Sequence, residues 1–231
     1  MGIAMDRRAF LKICAGFGLV MVASPLEPLA LEVGKGPAYA MIIDLERCMG
    51  CEACVVACRL GGGSPRPGFN TRLRFVEAGL YPRVNRYFVP VQCNQCKEAP
   101  CIEACKIGAI TTLPNGIVYT DWSLCDGSGD CVSACPFGVR NVDLEHGGRS
   151  FKCDFCLEFL EAGRLPLCVT TCPSRARLFG DLSNPQGEFA RYLKGSYLFQ
   201  LAGFKGLRGR LFYGGNEELA RLALEEARKN G

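Results

Sequence analysis

The apolar positions of this chain change rhythm as it proceeds. Residues 13–23 form one short apolar run between Asp6-Arg7-Arg8-Ala9-Phe10-Leu11-Lys12 and Ser24-Pro25. Residues 39–44 alternate as a strand does and lead straight into a group of cysteines. Residues 60–85, with Gly61, Gly62, Gly63 and Pro65 near their start, read as an inserted loop region. The next stretch predicts a strand at 87–92, a helix, a hairpin turning at Leu113-Pro114-Asn115-Gly116, and a second helix. Residues 217–229 place Leu219, Leu222, Ala223 and Ala227 along one side of a helix with charges opposite. That helix, with the cysteine-free tail from residue 183, reads as a docking arm or equally as an ordinary solvent-facing terminal helix.

Composition redirects attention to sulfur. The chain has 231 residues, is 48% hydrophobic and holds 16 cysteines, nearly all bunched into four groups. The net charge of +4 is spread thinly, so no nucleic-acid footprint is visible. The N-terminal Arg7-Arg8 pair and the apolar run after it resemble a twin-arginine export signal, giving a signal and linker over residues 1–38. That route carries proteins already folded, which suits a chain loaded with metal before export and implies a periplasmic, peripheral location. Ala38-Tyr39-Ala40 fits a small-x-small cleavage pattern but lies far downstream of the run. The run is too short to span a bilayer, which takes about 20 residues. Cys14 lies inside it and is left out of the ligand count.

Group one is Cys48, Cys51, Cys54 and Cys58, spaced C-x2-C-x2-C-x3-C like a bacterial ferredoxin run. Three such cysteines can curl around one cluster while the fourth is carried by a helical turn toward another. Group two is Cys93, Cys96, Cys101 and Cys105; group four is Cys153, Cys156, Cys168 and Cys172, followed by Pro173. Both end in the same C-x3-C step. Group three departs from the pattern: Cys125, Cys131 and Cys135 fit only if Ser128 stands at the second ligand position. A hydroxyl gives up its proton far less readily than a thiol, so iron at that corner would be held weakly. A [3Fe-4S] cluster is expected there, with serine ligation of a full [4Fe-4S] cluster as the alternative.

Other uses of cysteine fit less well. Tight C-x2-C repeats are poor geometry for separate disulfides, and zinc sites use well-separated pairs rather than triples. The C-x3-C-x2-C triplet of a radical enzyme is absent from the sequence. His146 is a lone histidine in a polar turn, unsuited to Rieske ligation, which needs two. Trp122 reads as packing, and Asp44 and Asp121 as strand-to-loop turn residues.

The order and spacing of the groups resemble the four-cluster ferredoxin-like subunits of membrane-bound oxidoreductases, such as dimethyl sulfoxide, polysulfide, tetrathionate and nitrate reductases. The resemblance covers residues 39–182 and is carried by Arg47-Cys48-Met49-Gly50-Cys51, Lys152-Cys153-Asp154-Phe155-Cys156 and Phe179-Gly180-Asp181-Leu182. It implies an α+β fold of two nested βαββαβ units, the inner one at about residues 86–145, with the inserted loop region and a C-terminal helical arm at 183–231. It implies one cluster on Cys48, Cys51, Cys54 and Cys172, a second on Cys58, Cys153, Cys156 and Cys168, and a third on Cys93, Cys96, Cys101 and Cys135. The fourth falls to Cys105, Cys125 and Cys131, the site with Ser128 at the vacant corner. Lys106 replaces a common proline after group two, and no proline follows Cys58.

The family resemblance further implies a non-catalytic subunit carrying electrons between a molybdopterin-type catalytic subunit and an integral membrane quinone-handling subunit. Among such complexes, the periplasmic menaquinone reductase of sulfate reducers adds a multihaem cytochrome c. Two other readings stand beside this one. A self-standing polyferredoxin carrier would not need the tail after Leu182, and a structural metal module would carry no electrons.

Overall fold

The computed structural model describes residues 36–64, 67–201 and 207–229. The residues read as an export signal and Cys14 lie outside them. Strand β1 (Tyr39–Asp44) forms at the bounds its alternation predicts. It is buried on both faces: Met41 and Ile43 join one core, while Ala40 and Ile42 join another with Leu178 and Phe189. Ala38, just before the strand, is already tied to this sheet, its N–H donating to Asp181 Oδ1 at 2.7 Å. Scission after Ala40 would therefore strip the start of β1.

Residues 60–85 are not a loop. After α1 (Ala53–Gly61), strands β2 (Thr71–Leu80) and β3 (Arg83–Gln92) form a ten-pair antiparallel hairpin. Most of the glycines and prolines precede Thr71, with Gly79 and Pro82 at the turn end of the hairpin, and from Thr71 onward alternating side chains sustain pairing, with Phe75 opposite Phe88 and Glu77 opposite Arg86. The strand expected at 87–92 thus starts at Arg83. Next come α2 (Pro100–Glu103), the hairpin β4 (Ile110–Thr112) and β5 (Val118–Thr120), α3 (Asp130–Ser133), and a further hairpin, β6 (Asn141–Asp143) with β7 (Arg149–Phe151). The strand, helix, hairpin, helix order is as expected. Helices α4 (Leu157–Glu161) and α5 (Leu167–Thr170) lead into β8 (Arg177–Asp181), which pairs antiparallel with β1.

The tail corrects the expectation of an arm. After α6 (Gly187–Gly195) and β9 (Tyr197–Phe199), strand β10 (Leu211–Gly215) enters the central sheet parallel to β1, giving the order β8-β1-β10-β9. Leu211 and Tyr213 are fully buried. Helix α7 (Glu217–Lys229) forms where its periodicity predicts, but Leu219 and Ala223, each 1% exposed, are spent on the protein's own core. A five-residue apolar run ending in Gly214-Gly215 carries too little periodicity to announce a core strand. Among the described residues no helix is long and apolar enough to cross a membrane.

Candidate iron-sulfur centres

Each cysteine loop is shaped by a left-handed residue two positions after its first cysteine: Gly50 (φ 72°), Gln95 (φ 50°), Gly127 (φ 77°) and Phe155 (φ 61°). Such turns point successive backbone N–H groups inward, suiting them to an anionic group. Gln95 and Phe155 are fully buried non-glycine residues held in a sparsely populated conformation. At Gly50 a Cβ would come within 2.6 Å of the Phe88 ring, so glycine is needed for space as well as for φ. Gly127 is held likewise, since a Cβ there would lie 2.9 Å from the Gly147 carbonyl oxygen. The third loop thus turns as the others do, with Ser128 where they carry Cys51, Cys96 and Cys156. Upstream aspartates fix the turns: Asp44 Oδ1 accepts from Glu46 and Arg47 N–H, and Asp121 Oδ1 from Ser123 N–H. Asp154 Oδ1 does the same for Cys156 N–H.

The helices then bring distant groups together. Packing of α1 against α5 joins the first group to the fourth, and α2 against α3 joins the second to the third. One cavity is lined by Cys48, Cys51, Cys54 and Cys172, and another by Cys93, Cys96, Cys101 and Cys135. A third is lined by Cys105, Cys125, Cys131 and Ser128. Cys58 lies within electrostatic reach of Cys156, Cys168 and Cys153. The fifteen described cysteines are free thiols. The grouping of eleven of them around three cavities fits polynuclear clusters, in which each thiolate would meet its own iron.

Burial pushes the Cys58 and Cys96 thiols up to about 12 and Cys156 to about 11. Cys172 goes the other way: burial is outweighed by the Ser174 hydroxyl and the N–H groups of Ala176 and Arg177. Ser128 N–H donates to Asp126 Oδ1 at 3.0 Å, and this bond, with the Ser128 hydroxyl, holds the Asp126 carboxyl below its usual range. Asp126 lines the same cavity as Ser128 and escaped the sequence reading. Trp122 Nε1 donates to the Ser150 carbonyl, and exposed His146 pairs through Nδ1 with Asp143 Oδ2 at 2.8 Å.

Buried polar side chains around the thiols were also missed. Gln95 Nε2 donates to the Cys153 carbonyl and its Oε1 accepts from Val118 N–H. Lys152 Nζ donates to the carbonyls of Val118 and Cys153. Arg140 and Arg177 are each 3% exposed and reach cysteine sulfurs. Burial works against the Arg177 charge, yet neighbouring Cys168 and Cys54 raise its pKa overall. Matching offsets after groups three and four were the one signal in the sequence for this pair.

Two family descriptions match the chain: a 4Fe-4S dicluster domain over residues 84–182 and a 4Fe-4S binding domain over residues 39–60. A tetrathionate reductase subunit of Salmonella typhimurium is 36% identical over 203 residues, covering 83% of this chain and 81% of the relative. The chain belongs to this family of iron-sulfur electron-transfer subunits. A selenate reductase subunit of Mesobacillus selenatarsenatis is 32% identical over 76% of this chain and 71% of its own length. The thiosulfate reductase electron transfer subunit of Salmonella typhi is 40% identical over 64% of this chain and 78% of its own length. Membership makes the chain an electron-transfer subunit without catalysis of its own, and a structural metal module is set aside. The fold is accordingly a mixed α and β one with ferredoxin-like 4Fe-4S domains.

Proposed function

We propose that this chain relays single electrons through three [4Fe-4S] clusters and one [3Fe-4S] cluster. The ligands are Cys48, Cys51, Cys54 and Cys172; Cys58, Cys153, Cys156 and Cys168; Cys93, Cys96, Cys101 and Cys135; and, for the three-iron cluster, Cys105, Cys125 and Cys131. The observation that carries this is the convergence of cysteines from two separate groups on each of three cavities, one of them with Ser128 in place of a thiol. When bound, such clusters take up and release one electron at a time. The protein's own residues fix their spacing, keep water away and set the charge around the sulfurs.

In this reading the chain works on the periplasmic side of the inner membrane, having been exported folded. It joins a molybdopterin-type catalytic subunit to a membrane subunit that handles quinone. The names of the relatives, subunits of tetrathionate, selenate and thiosulfate reductases, support the catalytic partner. The nested arrangement of two ferredoxin-like units is supported by the β1–β8 pairing around an inner strand, helix, hairpin, helix series. A free polyferredoxin carrier is no longer disfavoured by the tail, since that tail completes the sheet; the kinship with complex subunits favours the relay.

The test is iron and sulfide analysis with low-temperature EPR on the intact complex, as isolated and after dithionite reduction. Fifteen irons per chain, the sum of three four-iron clusters and one three-iron cluster, with a three-iron signal in the oxidised state, is the expected result. Sixteen irons without that signal would overturn the three-iron site, and an iron-free chain would overturn the whole reading.

A further inference from the structure

Two buried arginines stand at matching places in the two halves of the thiol framework. Arg140 follows Cys131 by nine residues, and Arg177 follows Cys168 by nine. Arg140 Nη2 lies 3.6 Å from Cys101 Sγ, while its Nη1 lies 3.9 Å from Cys131 Sγ. Those two sulfurs belong to different proposed clusters, the third and the fourth. Arg177 Nη1 lies 3.7 Å from Cys168 Sγ, and Arg177 also lines the cavity of Cys48, Cys51, Cys54 and Cys172. These sulfurs again belong to different clusters, the second and the first.

Each guanidinium is anchored by neutral oxygens. Arg140 donates to Thr120 Oγ1 at 3.1 Å and Ser150 Oγ at 2.9 Å; Arg177 donates to Gln92 Oε1 at 2.5 Å and Thr71 Oγ1 at 3.1 Å. Among the described residues neither forms an ion pair with a carboxylate. A buried charge needs a compensating one, and the anionic groups within reach are sulfur. The potential of an iron-sulfur cluster responds to local charge and to hydrogen bonds on its sulfurs. A fixed positive charge stabilises the reduced, more negative form more than the oxidised one.

We propose that Arg140 and Arg177 are a matched pair of fixed charges, each shared by two neighbouring cluster sites and raising the reduction potentials of both. This rests on the ligand sets of the proposed function. In one-electron terms the cluster gains an electron and the arginine gains or loses nothing, so no further reactant is required.

The experiment is an EPR-monitored potentiometric titration of the intact complex carrying R177Q, R177K, R140Q or R140K, with iron counted in each. R177Q should lower the potentials of the two clusters on groups one and four by at least tenfold in the reduction equilibrium, about 59 mV for one electron. The other two clusters should be unmoved. R140Q should do the converse, and each Lys variant should restore most of the shift. Unshifted potentials at full iron content would overturn the proposal, as would equal shifts in the Lys and Gln variants. If a Gln variant lacks its clusters, a Lys variant loaded at near-parental potential upholds the role of charge; a Lys variant that also lacks them overturns it in favour of packing. Too little iron in the unsubstituted complex would refute the ligand sets instead, a result distinguishable from any of these.

Discussion

Gln95 Nε2 donates to the carbonyl oxygen of Cys153 at 2.7 Å, tying the second cysteine loop directly to the fourth. The same side chain satisfies Val118 N–H at 2.8 Å, so one amide holds the hairpin β4–β5 and two thiol loops together. Gln95→Leu keeps the volume but strips the buried Val118 N–H of its partner. The expected cost is about 1–3 kcal/mol. It should appear as loss of visible cluster absorption at a lower guanidinium concentration, and an unchanged midpoint would refute the role.

Ser128→Cys should supply the missing thiolate without disturbing the loop, because Gly127 already holds the turn that the four-cysteine groups use. The expected outcome is one additional iron per chain and disappearance of the oxidised three-iron EPR signal. Persistence of that signal at fifteen irons would show that something other than the side chain at position 128 sets the cluster type.

Acidity should act with opposite signs on the loaded and iron-free chains. Cys58, Cys96 and Cys156 keep their protons to about 12, 12 and 11, so iron must displace protons and binds more tightly as pH rises. Competition with a chelator should leave more iron on the chain at about pH 8 than at about pH 6. In the iron-free chain these raised thiols favour the fold fully below the unfolded value of 9.0, and that contribution falls away as pH rises toward about 12. Denaturant titration of the iron-free chain should therefore show stability declining above about pH 9; a rise there would contradict the burial of these thiols.

Truncation after Leu182 tests whether the tail belongs to the body. Without β10 one edge of β1 is unpaired, and without α7 the core loses Leu219 and Ala223. The truncated chain should fail to accumulate as a cluster-bearing protein. Leu219→Ala in the full chain should cost about 3 kcal/mol, read from the same absorption midpoint. A truncated chain with its full iron content would restore the arm.

What the sequence made legible was local. Cysteine spacing, the serine at position 128 and the turn aspartates Asp44 and Asp121 are written within a few residues, and the structure bears out the turn role of the two aspartates. Strand β2 was hidden because the glycines and prolines just before it dominate its neighbourhood, although Thr71 to Val76 alternate well enough. Strand β10 was hidden for another reason: its pairing with β1 spans some 170 residues, and short parallel pairing of that range leaves no periodic trace. Arg140 and Arg177 were overlooked because arginine is ordinarily a surface residue. Only the fold reveals that sulfur surrounds them.

The parallel seating of β10 beside β1 bears on when this protein can come into being. A ribosome delivers residues 211–215 some 170 residues after residues 39–44, so the emerging first strand waits through that interval with one edge unsatisfied. The cysteine loops are all present well before that edge is closed. A premature stop anywhere between Cys172 and Leu211 would yield a chain with every thiol in place and no finished sheet to hold them apart from solvent. Delivery of β10 is thus itself a checkpoint on the metal-binding core.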